Sequence, residues 1–193
     1  MKFTLALLIL CSCCAYGQLT DAEIYNLKSG RVKPDNSYVY YLPFATGSKF
    51  LLIQAYNSKM SHTNELSLDF KMKQGSKICA AREGTVIAIR EDSDEGGLNS
   101  AYLNKGNHII IRHDDGSVAM YWHLQKDGVV VNPGDTVTKG QLIGYSGNTG
   151  YTAFPHLHFQ VQDKNGHDIA TRFLTKKGIM YLRPSKYYKR SYL

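Results

Sequence analysis

The stretch Phe154-Pro155-His156-Leu157-His158-Phe159 places two histidines on either side of a single leucine. A β-strand turns successive side chains to opposite faces, so His156, His158 and Gln160 share one side while Leu157, Phe159 and Val161 face a core. Two imidazoles on the wet face of an otherwise apolar strand suit metal binding or proton transfer. Two other stretches follow the same geometry. Across residues 66–70, Leu66, Leu68 and Phe70 make an apolar face and Asp69 projects opposite. Across residues 118–124, strict alternation predicts Val118, Met120 and Trp122 inward and Tyr121 and His123 outward. Trp122 and Met120 therefore read as core. Three strands would each bring a ligand or proton carrier to one sheet face, where a groove could collect them.

The elements that must position these side chains are mostly strands. Residues 19–43 predict a short helical piece and then a strand around 38–42. Strands follow at 50–55, 66–70, 84–89, 108–113, 118–123, 129–131, 141–144 and 157–161. Turn residues separate them: Asp114-Asp115-Gly116, Asn132-Pro133-Gly134-Asp135, Ser146-Gly147-Asn148 and Asp163-Lys164-Asn165-Gly166. Short strands, tight turns and no long helical period predict a mainly β, antiparallel single domain, barrel- or sandwich-like, with a groove. The acidic loop from Glu91 to Gly97 lacks the spacing of a calcium loop and reads as a solvated connection.

The chain has 193 residues, 43% of them hydrophobic, which suits one compact domain with a short extension. Met1-Lys2, the apolar run 3–10 and Ala15-Tyr16-Gly17 read as a signal peptide over residues 1–17, hence an exported protein. That run falls short of the ~20 apolar residues a membrane span needs, and no later stretch does better. Cleavage before Gln18 removes Cys11, Cys13 and Cys14 and leaves only Cys79, so no internal disulfide is expected. Lipidation at Cys13 is the rival reading of the leader, on the lipobox-like Leu10-Cys11-Ser12-Cys13.

The net charge is +7. Residues 176–193 hold six Lys or Arg, no acidic residue, and Tyr181, Tyr187, Tyr188 and Tyr192. Export argues against nucleic acid as the partner, which leaves an acidic wall polymer or a solvated tail.

Taken in order, His62 with Asp69, Tyr121-Trp122-His123-Leu124 and His156-Leu157-His158-Phe159 resemble the three motifs of lysostaphin/LytM-type zinc endopeptidases. The connecting landmarks agree: Ala80-Ala81-Arg82-Glu83-Gly84-Thr85-Val86, Gly134-Asp135-Thr136-Val137, Gly140-Gln141-Leu142-Ile143-Gly144 and Gly147-Asn148-Thr149-Gly150. Several ordered motifs are more specific than any one alone. The resemblance implies a β-rich scaffold and hydrolysis of peptide bonds in bacterial peptidoglycan. It implies His62, Asp69 and His158 as ligands of one Zn2+, with His123 and His156 as the unligated catalytic pair. Three protein ligands and one open position are what a catalytic zinc requires.

The chain departs from the family's short His-to-Asp spacing, with six residues between His62 and Asp69. Glu65 is the competing carboxylate within that loop, read as exposed. Tyr56 is a possible helper at the oxyanion. His108 and His113 flank a strand, His113 as a possible support to the site, and His167 reads as turn surface.

The expected organisation is a signal peptide (1–17), an N-terminal extension (18–49), the zinc endopeptidase domain (50–175) and a basic, Tyr-rich tail (176–193), working as a monomer. Two other classes compete. One is a catalytically inactive relative that binds or activates wall hydrolases. The other is a carrier module, since residues 131–144 resemble biotinyl and lipoyl hairpins; no lysine sits at a convincing attachment turn.

Overall fold

Alternating apolar and polar residues between tight turns give strands whose apolar faces must be buried together. The computed structural model describes residues 19–32 and 37–192. The leader and its three cysteines lie outside the described residues. One helix, α1 (Asp21–Ser29), precedes fifteen short strands: β1 (Val39–Tyr40), β2 (Lys49–Gln54), β3 (Leu68–Lys71), β4 (Lys77–Cys79), β5 (Gly84–Arg90), β6 (Gly96–Gly97), β7 (Asn107–Arg112), β8 (Val118–Val129), β9 (Thr136–Val137), β10 (Leu142–Ser146), β11 (Gly150–Tyr151), β12 (His156–Gln162), β13 (Arg172–Thr175), β14 (Gly178–Tyr181) and β15 (Lys186–Lys189).

Ten strands form one sheet along the path β15-β2-β3-β12-β8-β7-β5-β9, with β10 bridging β8 and β4. All pairings in this sheet are antiparallel. The sheet does not close into a barrel, because β15 and β9 end the path. Its buried face is built by Leu52, Phe70, Leu157, Phe159, Tyr121, Ile109 and Ile111, all fully buried. Burying each such side chain stabilises the fold by about 1.5–3 kcal/mol before chain entropy is counted. The opposite face holds the histidines.

Three features differ from the linear reading. Strand β8 runs on to Val129, because β10 pairs with its far half. Residues 38–44 contribute Tyr40, Leu42 and Phe44 to the same core, and β1 pairs with β13. This part of the N-terminal segment is structurally continuous with the domain. The C-terminal residues likewise form β14 and the edge strand β15, zipped onto β2 from Lys186↔Leu52 to Lys189↔Lys49.

Helix α1 starts at a capping box, in which Thr20 and Glu23 satisfy one another's backbone donors, and stops at Gly30 in the left-handed conformation. The acidic loop forms separate pairs, Asp92 with Arg90, Asp94 with Lys126 and Glu95 with Lys105. That is a solvated connection. Cys79 is buried with a free thiol.

Candidate metal and acid–base site

Strand β12 lies between β3 and β8, and its register builds the site: His158 is opposite Asp69 on one side and Trp122 on the other. Directly paired residues share a face, so all three point away from the core. His156 pairs with Lys71 one step along the same face.

His62 arrives from the loop before β3 and is 1% exposed. Its Nε2 lies 3.1 Å from Asp69 Oδ2, and His158 Nδ1 lies 3.1 Å from Asp69 Oδ1. Three of the sequence-derived residues thus meet at one carboxylate.

The other two meet beside it. The rings of His123 and His156 are 4.5 Å apart, and His156 Nε2 is 3.6 Å from Asp69 Oδ1. All five line a cleft of about 440 Å³, together with Trp122, Met120, Phe154 and Gln160. A larger cavity, about 820 Å³, lies against α1 and is lined by none of these five.

Strict alternation fails at β8, and the failure shapes the cleft. Tyr121 is fully buried in the core, and its hydroxyl accepts a hydrogen bond from Ala81 N at 2.8 Å. Trp122 and Met120, expected inward, line the cleft instead. The pairs Trp122↔His158 and Met120↔Gln160 require this. His123 still faces the cleft because its backbone breaks the alternation: its φ is +65°, a conformation that non-glycine residues seldom adopt. Trp122 and His123, neighbours in sequence, therefore share the wet side. His108, paired with Trp122, packs against the indole with ring centres 4.2 Å apart and planes tilted by 45°.

Each catalytic candidate has a fixed tautomer. His123 Nδ1 lies 2.7 Å from the Thr149 carbonyl, which can only accept, so Nδ1 carries the hydrogen and Nε2 keeps a lone pair. Thr149 is itself pinned: its hydroxyl donates to Leu124 O at 2.7 Å and accepts from Asn107 N at 3.0 Å. Gly150 follows with φ +84°, and a Cβ there would stand 2.7 Å from Gly106 Cα. Only glycine permits this approach. His156 Nδ1 likewise donates to Phe154 O at 2.9 Å, with Thr152 Oγ1 3.1 Å away.

Electrostatics separate the groups. Burial lowers His123 to about 3, and the neighbouring His156 and His158 push it the same way. Burial also lowers His156, more than Asp69 raises it. Burial would lower His158 too, but its hydrogen bond to Asp69 wins and raises it. Burial would raise Asp69, yet the hydrogen bond from His158 and the close approach of the His62 imidazole hold it well below the usual carboxylate range. One carboxylate stays ionised beside two histidines held neutral.

The residues fit a metal ion. Neither ring nitrogen of the buried His62 has a hydrogen-bond partner among the described residues, although its Nε2 is close to Asp69. Buried polar atoms rarely stay unsatisfied, and ligation would satisfy one of these. Tetrahedral zinc with bonds of about 2.0–2.2 Å holds its donors roughly 3.3 Å apart, close to both observed separations. Two imidazoles and a carboxylate are a zinc-compatible set.

Glu65 is a correction. It is partly buried, lines the cleft, and brings a carboxylate oxygen within 4.8 Å of ligand atoms of His62 and His158. Its Oε2 meanwhile accepts from Ser67 Oγ at 3.1 Å. The long loop bends it inward because Asp168 clamps the next residue, accepting from Leu66 N at 3.0 Å.

Tyr56 is not at the cleft. It is fully buried, bonded to Thr171 O and Thr171 N at 3.1 Å each, and burial pushes it up to about 12. His113 bonds Glu83 O and packs on Tyr40, away from the site, while His167 lies near Asp163.

Gln54 and Thr152 carry no functional signal in the sequence, and Thr149 only that of a glycine-rich turn before the HxH strand. Gln54 Nε2 donates to Asp69 Oδ2 at 2.8 Å and to Ser61 Oγ at 2.9 Å. A bulge in β2 carries Gln54 opposite Asp69, and no spacing rule foretells a bulge.

Comparison with known proteins identifies the family of the chain. The chain is 36% identical over 93 residues to peptidoglycan DD-endopeptidase ShyA of Vibrio cholerae, covering 48% of this chain and 19% of that one. It is 36% identical over 97 residues to glycyl-glycine endopeptidase ALE-1 of Staphylococcus capitis, covering 50% and 24%. The chain thus spans about a quarter or less of the length of these relatives. The solved structure of a novel M23 metalloprotease, pseudoalterin, from deep-sea superposes with TM-score 0.52 at 19% identity, over 78% of this chain and 94% of that one, a likeness of fold. Residues 63–171 match the model of peptidase family M23, more than half of the chain, and the protein belongs to that family.

Proposed function

We propose that the protein is an exported, monomeric zinc endopeptidase that hydrolyses peptide bonds in bacterial peptidoglycan, with one ion held by His62, Asp69 and His158. The observation that carries this reading is the convergence of His62 and His158 on the Asp69 carboxylate, with the neutral pair His123 and His156 alongside. Asp69 is preferred to Glu65 because each of its oxygens approaches a ligand histidine at 3.1 Å and its strand register holds it opposite His158. A zinc ion bound there would act as a Lewis acid, polarising a carbonyl and making a water easier to deprotonate.

The chain's own residues do the rest. His123, neutral and with its Nδ1–H spent on Thr149, offers Nε2 as proton acceptor for the attacking water. His156, held by Phe154 O through Nδ1–H, presents a second acceptor Nε2 on the same side; whichever imidazole takes the water's proton can then hydrogen-bond the developing oxyanion and return that proton to the leaving amide nitrogen. Trp122 and Phe154 wall the cleft that would receive the reacting peptide. A relative that had lost turnover would be expected to lack a ligand or a base. All five side chains are present and face one cleft, which favours the enzyme.

The test is incubation of residues 18–193 with purified sacculi, with and without a chelator, and mass spectrometry of the released fragments. Metal-dependent release of muropeptides, restored by zinc, is the expected result. No release from several wall types would overturn the reading, and the fragment masses would identify the bond.

A further inference from the structure

The face that holds the histidines does not end at Asp69. Following the register outward from β12, His156 is opposite Lys71, Lys71 is opposite Leu51, and Leu51 is opposite Tyr187 on β15. Paired residues share a face, so this row lies on the cleft side of the sheet. One step along, Lys189 is opposite Lys49 on the same side. Lys49, Lys71, Tyr187 and Lys189 are all exposed.

The three lysines have no carboxylate within ion-pair distance among the described residues. The only acidic residue on β2, β3 and β15 is the buried Asp69. Two of the ammonium groups sit over aromatic rings: Lys71 Nζ is 5.4 Å from the centre of Phe154, a cleft residue, and Lys49 Nζ is 5.0 Å from that of Tyr187. Such contacts restrain a lysine while leaving its charge in water. The basic, tyrosine-rich segment that sequence alone left as a possible tail is thus the outer end of the catalytic face.

We propose that Lys49, Lys71 and Lys189, with Tyr187, form a docking ledge for the substrate polymer, binding carboxylate groups of peptidoglycan peptides that flank the one entering the cleft. The proposal rests on the peptidoglycan reading above. Tyr187 is three strand spacings from His156, about 14 Å. The ledge therefore engages a neighbouring part of the strand rather than the scissile peptide. It is a surface for a polymer and has no use for a short soluble fragment.

The experiment is brief co-sedimentation on ice with sacculi stripped of phosphate polymers, which reads binding before cleavage. Wild type is compared with K49Q/K189Q and with K49E/K189E, and sacculi are used before and after amidation of their carboxylates. An exposed lysine–carboxylate contact is worth roughly 1.4- to 5-fold in affinity, so K49Q/K189Q should weaken binding by about 2- to 25-fold. K49E/K189E should weaken it further, and amidation should weaken wild type while erasing the difference between proteins.

Turnover of a short soluble muropeptide should stay unchanged in both variants, while KM for sacculi rises. Equal binding by all three proteins, or undiminished wild-type binding to amidated sacculi, would overturn the ledge even if cleavage is robust. Binding that depends on the lysines without any cleavage would uphold the ledge and count against the enzyme reading. If K49E/K189E does not fold, K49Q/K189Q decides alone.

Discussion

Replacing Gln54 by leucine separates metal binding from stability. Gln54 Nε2 donates to Asp69 Oδ2 at 2.8 Å and to Ser61 Oγ at 2.9 Å, while its buried Oε1 has no partner among the described residues. Loss of a hydrogen bond to a charged group costs about 1.5–3 kcal/mol, and removal of an unsatisfied buried acceptor returns about 1–3 kcal/mol. The lost Ser61 bond adds about 0.5–1.5 kcal/mol, so the net cost is roughly 1–2 kcal/mol, and leucine keeps most of the volume. The metal-free variant should therefore melt within a few degrees of wild type.

Zinc affinity should respond differently. The bond orients the carboxylate, and losing an orienting partner of a ligand typically weakens metal binding 10- to 100-fold. Competition titration against a chelator measures this, with thermal melting of the metal-free protein as the control. Affinity within twofold of wild type, or a loss of affinity that only tracks a large drop in stability, would refute the argument that Gln54 aims Asp69.

Other outcomes follow from the same geometry. His123→Ala should keep its zinc yet lose turnover of sacculi by about 10²-fold or more; parallel loss of zinc would place His123 among the ligands. Tyr56→Phe should leave activity within about twofold, but lower stability by roughly 1–3 kcal/mol, because two buried Thr171 backbone groups lose their partner. Denaturant titration and a cleavage assay check both halves. Metal-free protein should lose stability as pH falls from about 6.5. His123 and His156 are held below the ordinary imidazole value, so the unfolded chain takes up those protons first, and for His123 the loss continues to about 3. His158 opposes this slope. His123→Ala should flatten the fall between pH 6.5 and 5; an unchanged slope would contradict the neutral assignment.

The strand pattern and the site were legible to different degrees, for physical reasons. Leu157, Phe159, Leu68 and Phe70 alternate with His158 and Asp69 without interruption, so period-two reasoning places both faces correctly. At β8 the same reasoning misplaces Tyr121 and Trp122, because a positive φ at His123 resets the alternation and a run of four large residues hides its phase. Local pattern puts Glu65 in an exposed loop, whereas its position depends on Asp168, about a hundred residues away, clamping that loop. Gln54 depends on a bulge, and Tyr187 on an edge strand added by the last residues of the chain. Long-range pairing decides each of these, and local pattern does not record it.

The most direct measurement is the zinc content of purified wild type, Asp69→Asn and Glu65→Gln, prepared identically and dialysed against a weak chelator. Wild type and Glu65→Gln should each retain close to one ion per chain, and Asp69→Asn close to none. Zinc lost from Glu65→Gln but kept by Asp69→Asn would contradict the ligand set, and a wild type that binds none would contradict the metal site itself.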